Sequence, residues 1–385
     1  MKLEGIRVLD LSRFLPGPYI GLMMADHGAE VIKIESFDGE PTRNLGTKIK
    51  GHTAYFRNTQ RGKSSLRLNL KAPDGLEIFR RLADESDVII DSFRPGVVDR
   101  LGIGYEAIQE RNPRIVYCSL SAFGQHGTQA QRPSHDVGAQ AITGTLSLMQ
   151  GEGREPCLPP APAADIAMGS LALVGIMMAL YRREQTGLGD FVDMAMTDCL
   201  MSWNPHVIND VLVKERAPEL ENERLFGGAA FYDVYRTKDG RHLVLSGAEM
   251  NFVENLLTAL ERSDLIELCR KPWGTAQEPV KAFLTETFAS RSLAEWNAFM
   301  SEISVCYAPV LDLHEGWQQP SMRERGMIAP GADGVERLGT PVKYAAEPGQ
   351  PSDKLAELGG DTDDILERLG YDAAERQHLI DTGVC

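Results

Sequence analysis

The chain has 385 residues, 43% of them hydrophobic and 25% charged, and carries a formal net charge of −15. That length leaves room for two domains with a substantial core, and the composition is that of a globular protein. The acidic balance argues against non-specific binding to nucleic acid or to anionic membranes, although a few arginines suffice to make a local anion pocket.

The N-terminus, "MKLEGIRVLDLSRF", has no basic stretch followed by a long apolar run, so no secretory signal is expected. "IRVLDL" (6–11) reads as a buried strand, after which Pro16 and Gly17 precede a helix over 18–28. "AEVIKIE" (29–35) and "SSLRLNL" (64–70) read as strands, and "APDGLEIFRRLADES" opens with a proline at a helix start. "DVIID" (87–91) and "RIVYCSLS" (114–121) continue the alternation, which predicts a mostly parallel α/β sheet with helices on both faces. The strongest helix covers 165–186. Its uncharged stretch, Ile166–Tyr181, has 16 residues, short of the roughly 20 that a membrane span needs, so a buried core helix is expected. A strand follows at 189–196.

The pattern then changes. A charged, then Gly-rich linker is predicted at 214–229, and "FYDVYRTKDGRHLVLSG" (231–247) reads as a hairpin turning at Asp239-Gly240. Helices over about 249–304 and a strand at 307–313 complete a smaller α+β domain, 230–320, beside a large domain, 1–213. The tail, 321–385, carries helices near 361–369 and 372–382. Six cysteines without a CxxC pair point to a reducing, cytoplasmic setting, with no disulfide framework and no zinc site.

A phosphate loop of the form GxxxxGK is absent, and "LGIGYEA" (101–107) follows no strand, so dinucleotide binding in the usual manner is not expected. Arg57, Arg61, Lys63, Arg94 and Arg100 read singly as solvated charges. As a group after strand ends they are candidates to hold a phosphorylated ligand.

"GIRVLDLSRFLPGPYIGLMMADHGAEVIKIE", "NTQRGKSSLRLNLKAPDG", "DVIIDSFRPGVVDRLGIGYE", "RIVYCSLSAFG", "TGLGDFVDMAMTD" and "YDVYRTKDGRHLVL", in this order, span nearly the whole chain. In them the chain resembles the class III CoA-transferase (CaiB/BaiF) and α-methylacyl-CoA racemase superfamily. The resemblance implies a Rossmann-like large domain, a small α+β domain, and a C-terminal segment returning to the large domain. It also implies an interlocked homodimer and a coenzyme A thioester as substrate, with no metal or redox cofactor. Matching CoA-binding positions are Phe14, Leu15 and Pro16 after the first strand, Leu68, Ser92, Phe93, and Arg100 in "RPGVVDRLG". Many relatives carry an arginine where this chain has Ser36, for which Lys33 or Arg43 are the candidate substitutes.

The superfamily holds two chemistries. In the transferases an aspartate, matched by Asp165, attacks the acyl-CoA. In the racemases that position is an acid/base opposite a histidine, matched by His135, across the α-carbon, while donors stabilise the enolate. Read alone, His135 in "RPSHDVGAQ" is a neighbour of the cap formers Ser134 and Asp136, and Asp165 is a helix N-cap. Glu249 read alone is a first-turn carboxylate favoured by the helix dipole. Together they match the racemase pattern, with 30 residues from His135 to Asp165. Glu249 would hold the imidazole tautomer, and the Asp136 backbone N–H would lie near the thioester oxygen. "IAMGS" after Asp165 is closer to the transferase pattern. The expectation is therefore a racemase or epimerase of 2-methyl-branched acyl-CoA, with CoA transfer through Asp165 as the alternative and a non-catalytic acyl-CoA binder as a third reading.

Overall fold

The structure, a computed structural model, describes residues 1–150 and 155–385. It divides into a large unit, Met1–Trp203 with Pro320–Cys385, and a small unit, Asn204–Gln319. The small unit thus begins at Asn204, ahead of the 214–229 stretch read as a linker, which lies inside it and carries the short turns Leu220–Asn222 and Arg224–Phe226.

The large unit holds β1 (Arg7–Asp10), β2 (Glu30–Glu35), β3 (Ser64–Arg67), β4 (Val88–Asp91), β5 (Val116–Ser121) and β6 (Asp190–Ala195). All neighbours pair in parallel, in the order β3-β2-β1-β4-β5-β6. This is the doubly wound, Rossmann-like order, and its direction reverses between β1 and β4, where such sheets open a ligand crevice at the strand carboxyl ends.

Alternation along each strand explains why both faces are covered. Val8, Val31, Val88 and Val116 pack against Ile20 and Met24 of α1 (Pro16–Asp26). Leu9, Ile32, Leu66 and Ile89 face the other way, onto Ile78, Phe79 and Leu82 of the Pro73–Asp84 helix and Ile365 and Leu366 of Thr362–Arg368. Each such buried side chain contributes about 1.5–3 kcal/mol. The tail therefore completes the large unit's core.

The helix expected over 165–186 spans Ala163–Thr186. Ala167, Ala172 and Ile176 are buried on the sheet, yet Val174, Met178 and Tyr181 are 51%, 63% and 72% exposed. It is a half-covered helix rather than a fully buried one. Its approach to α1 is close: a Cβ on Gly169 would stand 3.0 Å from the Pro16 carbonyl oxygen, so any larger residue would push the helix start away.

In the small unit, Tyr232–Arg236 and His242–Ser246 form the expected antiparallel hairpin, with Gly240 in the left-handed region (φ 78°). Tyr307–Pro309 joins its edge, and Leu243, Leu256, Phe288 and Trp296 fill the core beneath.

Candidate active site

A cavity of about 370 Å³ opens at the carboxyl ends of β1 to β4, lined among others by Ser12, Arg13, Ser36, Leu68, Lys71 and Phe93. It sits at the reversal of strand order, as the topology dictates. Of the expected CoA positions, Leu68 and Phe93 line it directly. Ser92 accepts a hydrogen bond from the Arg13 N–H at 3.0 Å and so fixes the loop that lines it. Arg100 is exposed and stands next to Leu101, which is part of the lining. Leu15 and Pro16 form the start of α1.

Phe14 turns towards a different partner. Its backbone lies in the left-handed region (φ 65°), unusual for a bulky residue, and its ring meets the His135 imidazole edge to face at 5.9 Å between centroids. The Phe14 N–H donates to Glu40 Oε1 at 3.0 Å, which offsets part of that strain. The loop after β1 therefore connects the cavity to His135.

The suggested substitutes for an arginine at position 36 are already engaged. Lys33 is buried against Asp10 (3.3 Å) and Glu40 (3.4 Å), and Arg43 holds Glu35 at 2.6 Å and the Ala356 carbonyl at 2.9 Å. Arg57, Arg61 and Lys63, grouped with Arg94 and Arg100 as phosphate candidates, are also buried and paired, with Asp333, Asp26 and Asp10 respectively. A buried charge is costly unless it is paired, and each of these three has a carboxylate partner. The cations that line the cavity without an ion-pair partner among the described residues are Arg13 and Lys71, which the sequence reading passed over. Their place directly after β1 and β3 is the signal that would have found them.

His135 and Asp165 come together through Asp136. His135 is the N-cap residue of the helix Asp136–Ile142, is exposed, and makes no side-chain cap hydrogen bond. Asp165 is not an N-cap, as it reads in isolation. It is the third residue of Ala163–Thr186, whose N-cap position is Pro162. The missing cap is supplied from outside: Asp136 Oδ1 accepts from the N–H groups of Ala164 (2.6 Å) and Asp165 (3.1 Å). These are the second and third helical positions, the donors a cap normally serves. Asp136 Oδ2 accepts from Gln140 Nε2 at 2.6 Å.

The Asp165 carboxyl is half-buried and its pKa is pushed up to about 7, by burial first and by the Asp136 charge second. A helix N-terminus ordinarily lowers a carboxyl pKa, so desolvation and like charge outweigh the dipole here. The Tyr55 phenol, on the helix Ala54–Gln60, is raised to about 12 by burial and then by Asp165 and Glu40. Glu249 stands exposed at the N-cap of Met250–Ala259 in the small unit, where Arg224 pairs with it at 3.0 Å. Among the described residues no three His, Cys, Asp or Glu side chains converge as a metal site.

The arrangement offers a proton-holding carboxyl, an accessible imidazole and an adjoining cavity with unpaired cations. The chain itself matches known proteins over nearly its whole length. The chain is 33% identical to the alpha-methylacyl-CoA racemase of Homo sapiens, over 98% of this chain and 96% of that one. It is 29% identical to the succinyl-CoA:glutarate CoA-transferase of Homo sapiens, over 99% and 89%. It superposes on a CaiB/BaiF family protein from Brucella suis with a TM-score of 0.83 and 29% identity, covering 95% of this chain and 99% of that one. The profile of CoA-transferase family III matches residues 3–362, and the chain belongs to that family.

Proposed function

We propose that the protein is an acyl-CoA racemase or epimerase that exchanges the α-proton of a 2-methyl-branched acyl-CoA between His135 and Asp165. The observation that carries this reading is the Asp165 carboxyl, which holds its proton to about pH 7 beside the His135 helix start. A general acid–base works best with a pKa near the working pH. A carboxylate nucleophile must instead be ionised, and both burial and Asp136 oppose that.

In the forward direction the C2–H bond breaks, its proton passes to His135, and the electron pair spreads onto the thioester oxygen. The Asp136 N–H, at the first helical position and so outside the intrahelical bonding pattern, is the donor assigned to that oxygen. Asp165 then delivers its proton to the opposite face of C2. In the reverse direction the roles exchange, so both directions use the same singly protonated pair. Arg13 and Lys71 at the cavity are assigned to the CoA phosphates.

CoA transfer through Asp165 is the second reading, favoured by "IAMGS" after the aspartate and by the similarity to the glutarate transferase. A non-catalytic acyl-CoA binder would leave the raised Asp165 pKa without a use. The half-covered helix supports self-association: Val174, Met178 and Tyr181 form one stripe that a second copy would cover. Six unpaired cysteines fit a reducing, cytoplasmic setting. Incubation with 2-methylacyl-CoA in D₂O tests the reading. Deuterium at C2 supports it, and CoA transfer to a free carboxylic acid without exchange overturns it.

A further inference from the structure

The contacts of Asp136 go beyond what a backbone donor at the thioester oxygen requires. The residue is 8% exposed, and both carboxylate oxygens are engaged, by two backbone N–H groups and the Gln140 amide. Three donors hold this carboxylate in place. Two helix starts far apart in sequence meet on it, since the donors of one helix are capped by the first residue of the other.

We propose that Asp136 is a positioning residue through its side chain: it ties the helix start carrying His135 to the one carrying Asp165, and it faces the Asp165 carboxyl with a fixed negative charge. This rests on the racemase reading only for its catalytic consequence. The geometric tie and the charge stand without it. The other titratable groups around Asp165 are the exposed His135 on the same segment as Asp136, the Tyr55 phenol on Ala54–Gln60, and Tyr19 on α1, whose ring packs near Gly169 one turn along the Asp165 helix. Both phenols are pushed above their ordinary value and are neutral at pH 7, so the Asp165 carboxyl is raised by burial first and by the Asp136 charge second. The work is therefore divided. The two bases move the proton, and Asp136 fixes their relative position and adds its charge to the burial that keeps the proton on Asp165.

The substitution Asp136→Asn separates charge from cap. The amide oxygen still accepts from Ala164 and Asp165, and the Gln140 amide turns over to accept from the new NH₂. Asp136→Ser is the second variant, a cap former of different size that is also neutral. The readout is the Asp165 carboxyl titration in the full chain, followed by ¹³C NMR of aspartate-labelled protein and assigned with Asp165→Asn. The midpoint is expected to fall by about one pH unit in both neutral variants, with thermal unfolding close to wild type. Asp136→Ala, which also loses the cap, is expected to unfold earlier. In the exchange assay the acid limb of kcat/KM moves to lower pH in Asp136→Asn, which a purely structural cap would not cause. An unchanged Asp165 midpoint in the folded Asn or Ser variant overturns the proposal. Absence of exchange in the wild type would overturn the racemase reading while the NMR result still decides this one.

Discussion

Two carboxylate-rich regions of the large unit lie close together in the chain's architecture and are built on opposite rules. Under the carboxyl end of β1, Asp10 meets Lys33 and Lys63, Glu40 meets Lys33, and Glu35 meets Arg43, so each of these three acids has a cation. Asp10 is held well below the usual carboxylate range by the two lysines, which outweigh its burial. At the start of the Ala163–Thr186 helix, Asp136 and Asp165 stand beside each other with no cation paired to them among the described residues, and the Asp165 pKa rises to about 7. Burial acts on both regions, and the cation decides the sign. The matched network secures the loop that shapes the cavity, while the unmatched pair leaves a proton on Asp165 up to about pH 7.

The largest expected effect comes from removing the unmatched acid. Asp165→Asn is predicted to lower α-proton exchange by about 10³-fold, within the usual range for a general acid–base. Deuterium incorporation measures it, and retention of more than a tenth of the rate would remove Asp165 from the mechanism. Next comes the matched network. Asp10→Asn strands Lys63, leaves Lys33 with Glu40 alone, and is expected to destabilise the fold by about 3–5 kcal/mol in denaturant unfolding. A loss below about 1 kcal/mol would show that the network does not secure the fold.

The third prediction puts the contrast into pH. The Asp165 pKa is raised from 3.8 to about 7, so its proton supports the fold below the ordinary aspartate range, and that support is lost as pH rises through about 7. Asp165→Asn is then more stable than wild type at pH 8, by on the order of a few kcal/mol, with the difference vanishing near pH 4. Asp10 carries the opposite sign: its contribution is present above the ordinary aspartate range and fades only in strong acid. Thermal unfolding across pH of the two Asn variants checks both signs. The smallest effect is expected at the cavity. Ser36→Arg adds an exposed cation to the lining and should tighten CoA binding by about 1 kcal/mol or less, read by calorimetry.

Much of the fold was legible because its signals are local. Continuous apolar runs such as "VIKI" and "DVIID" mark strands buried on both faces, and Asp239-Gly240 marks a hairpin turn. The cavity's place followed from strand order, which a sequence expresses only through the alternation of elements. What escaped was long-range matching of charge. Lys63 and Arg61 look like any surface cation until Asp10 and Asp26 are seen beside them. The cap that Asp136 places on a helix starting at Ala163 joins residues 28 and 29 apart, beyond any local capping pattern. Asp165 was found through a family resemblance, but its raised pKa depends on burial and on Asp136, neither of which a motif records.

The central claim is that His135 and Asp165 share one proton across the α-carbon. Each diastereomer of a 2-methylacyl-CoA, incubated separately in D₂O, tests it most directly. The account predicts deuterium at C2 and interconversion from both sides, with kcat/KM rising and falling over the same pH range in each direction. Transfer of CoA to a carboxylic acid acceptor with no deuterium at C2, together with a hydroxylamine-sensitive adduct on Asp165, would contradict it.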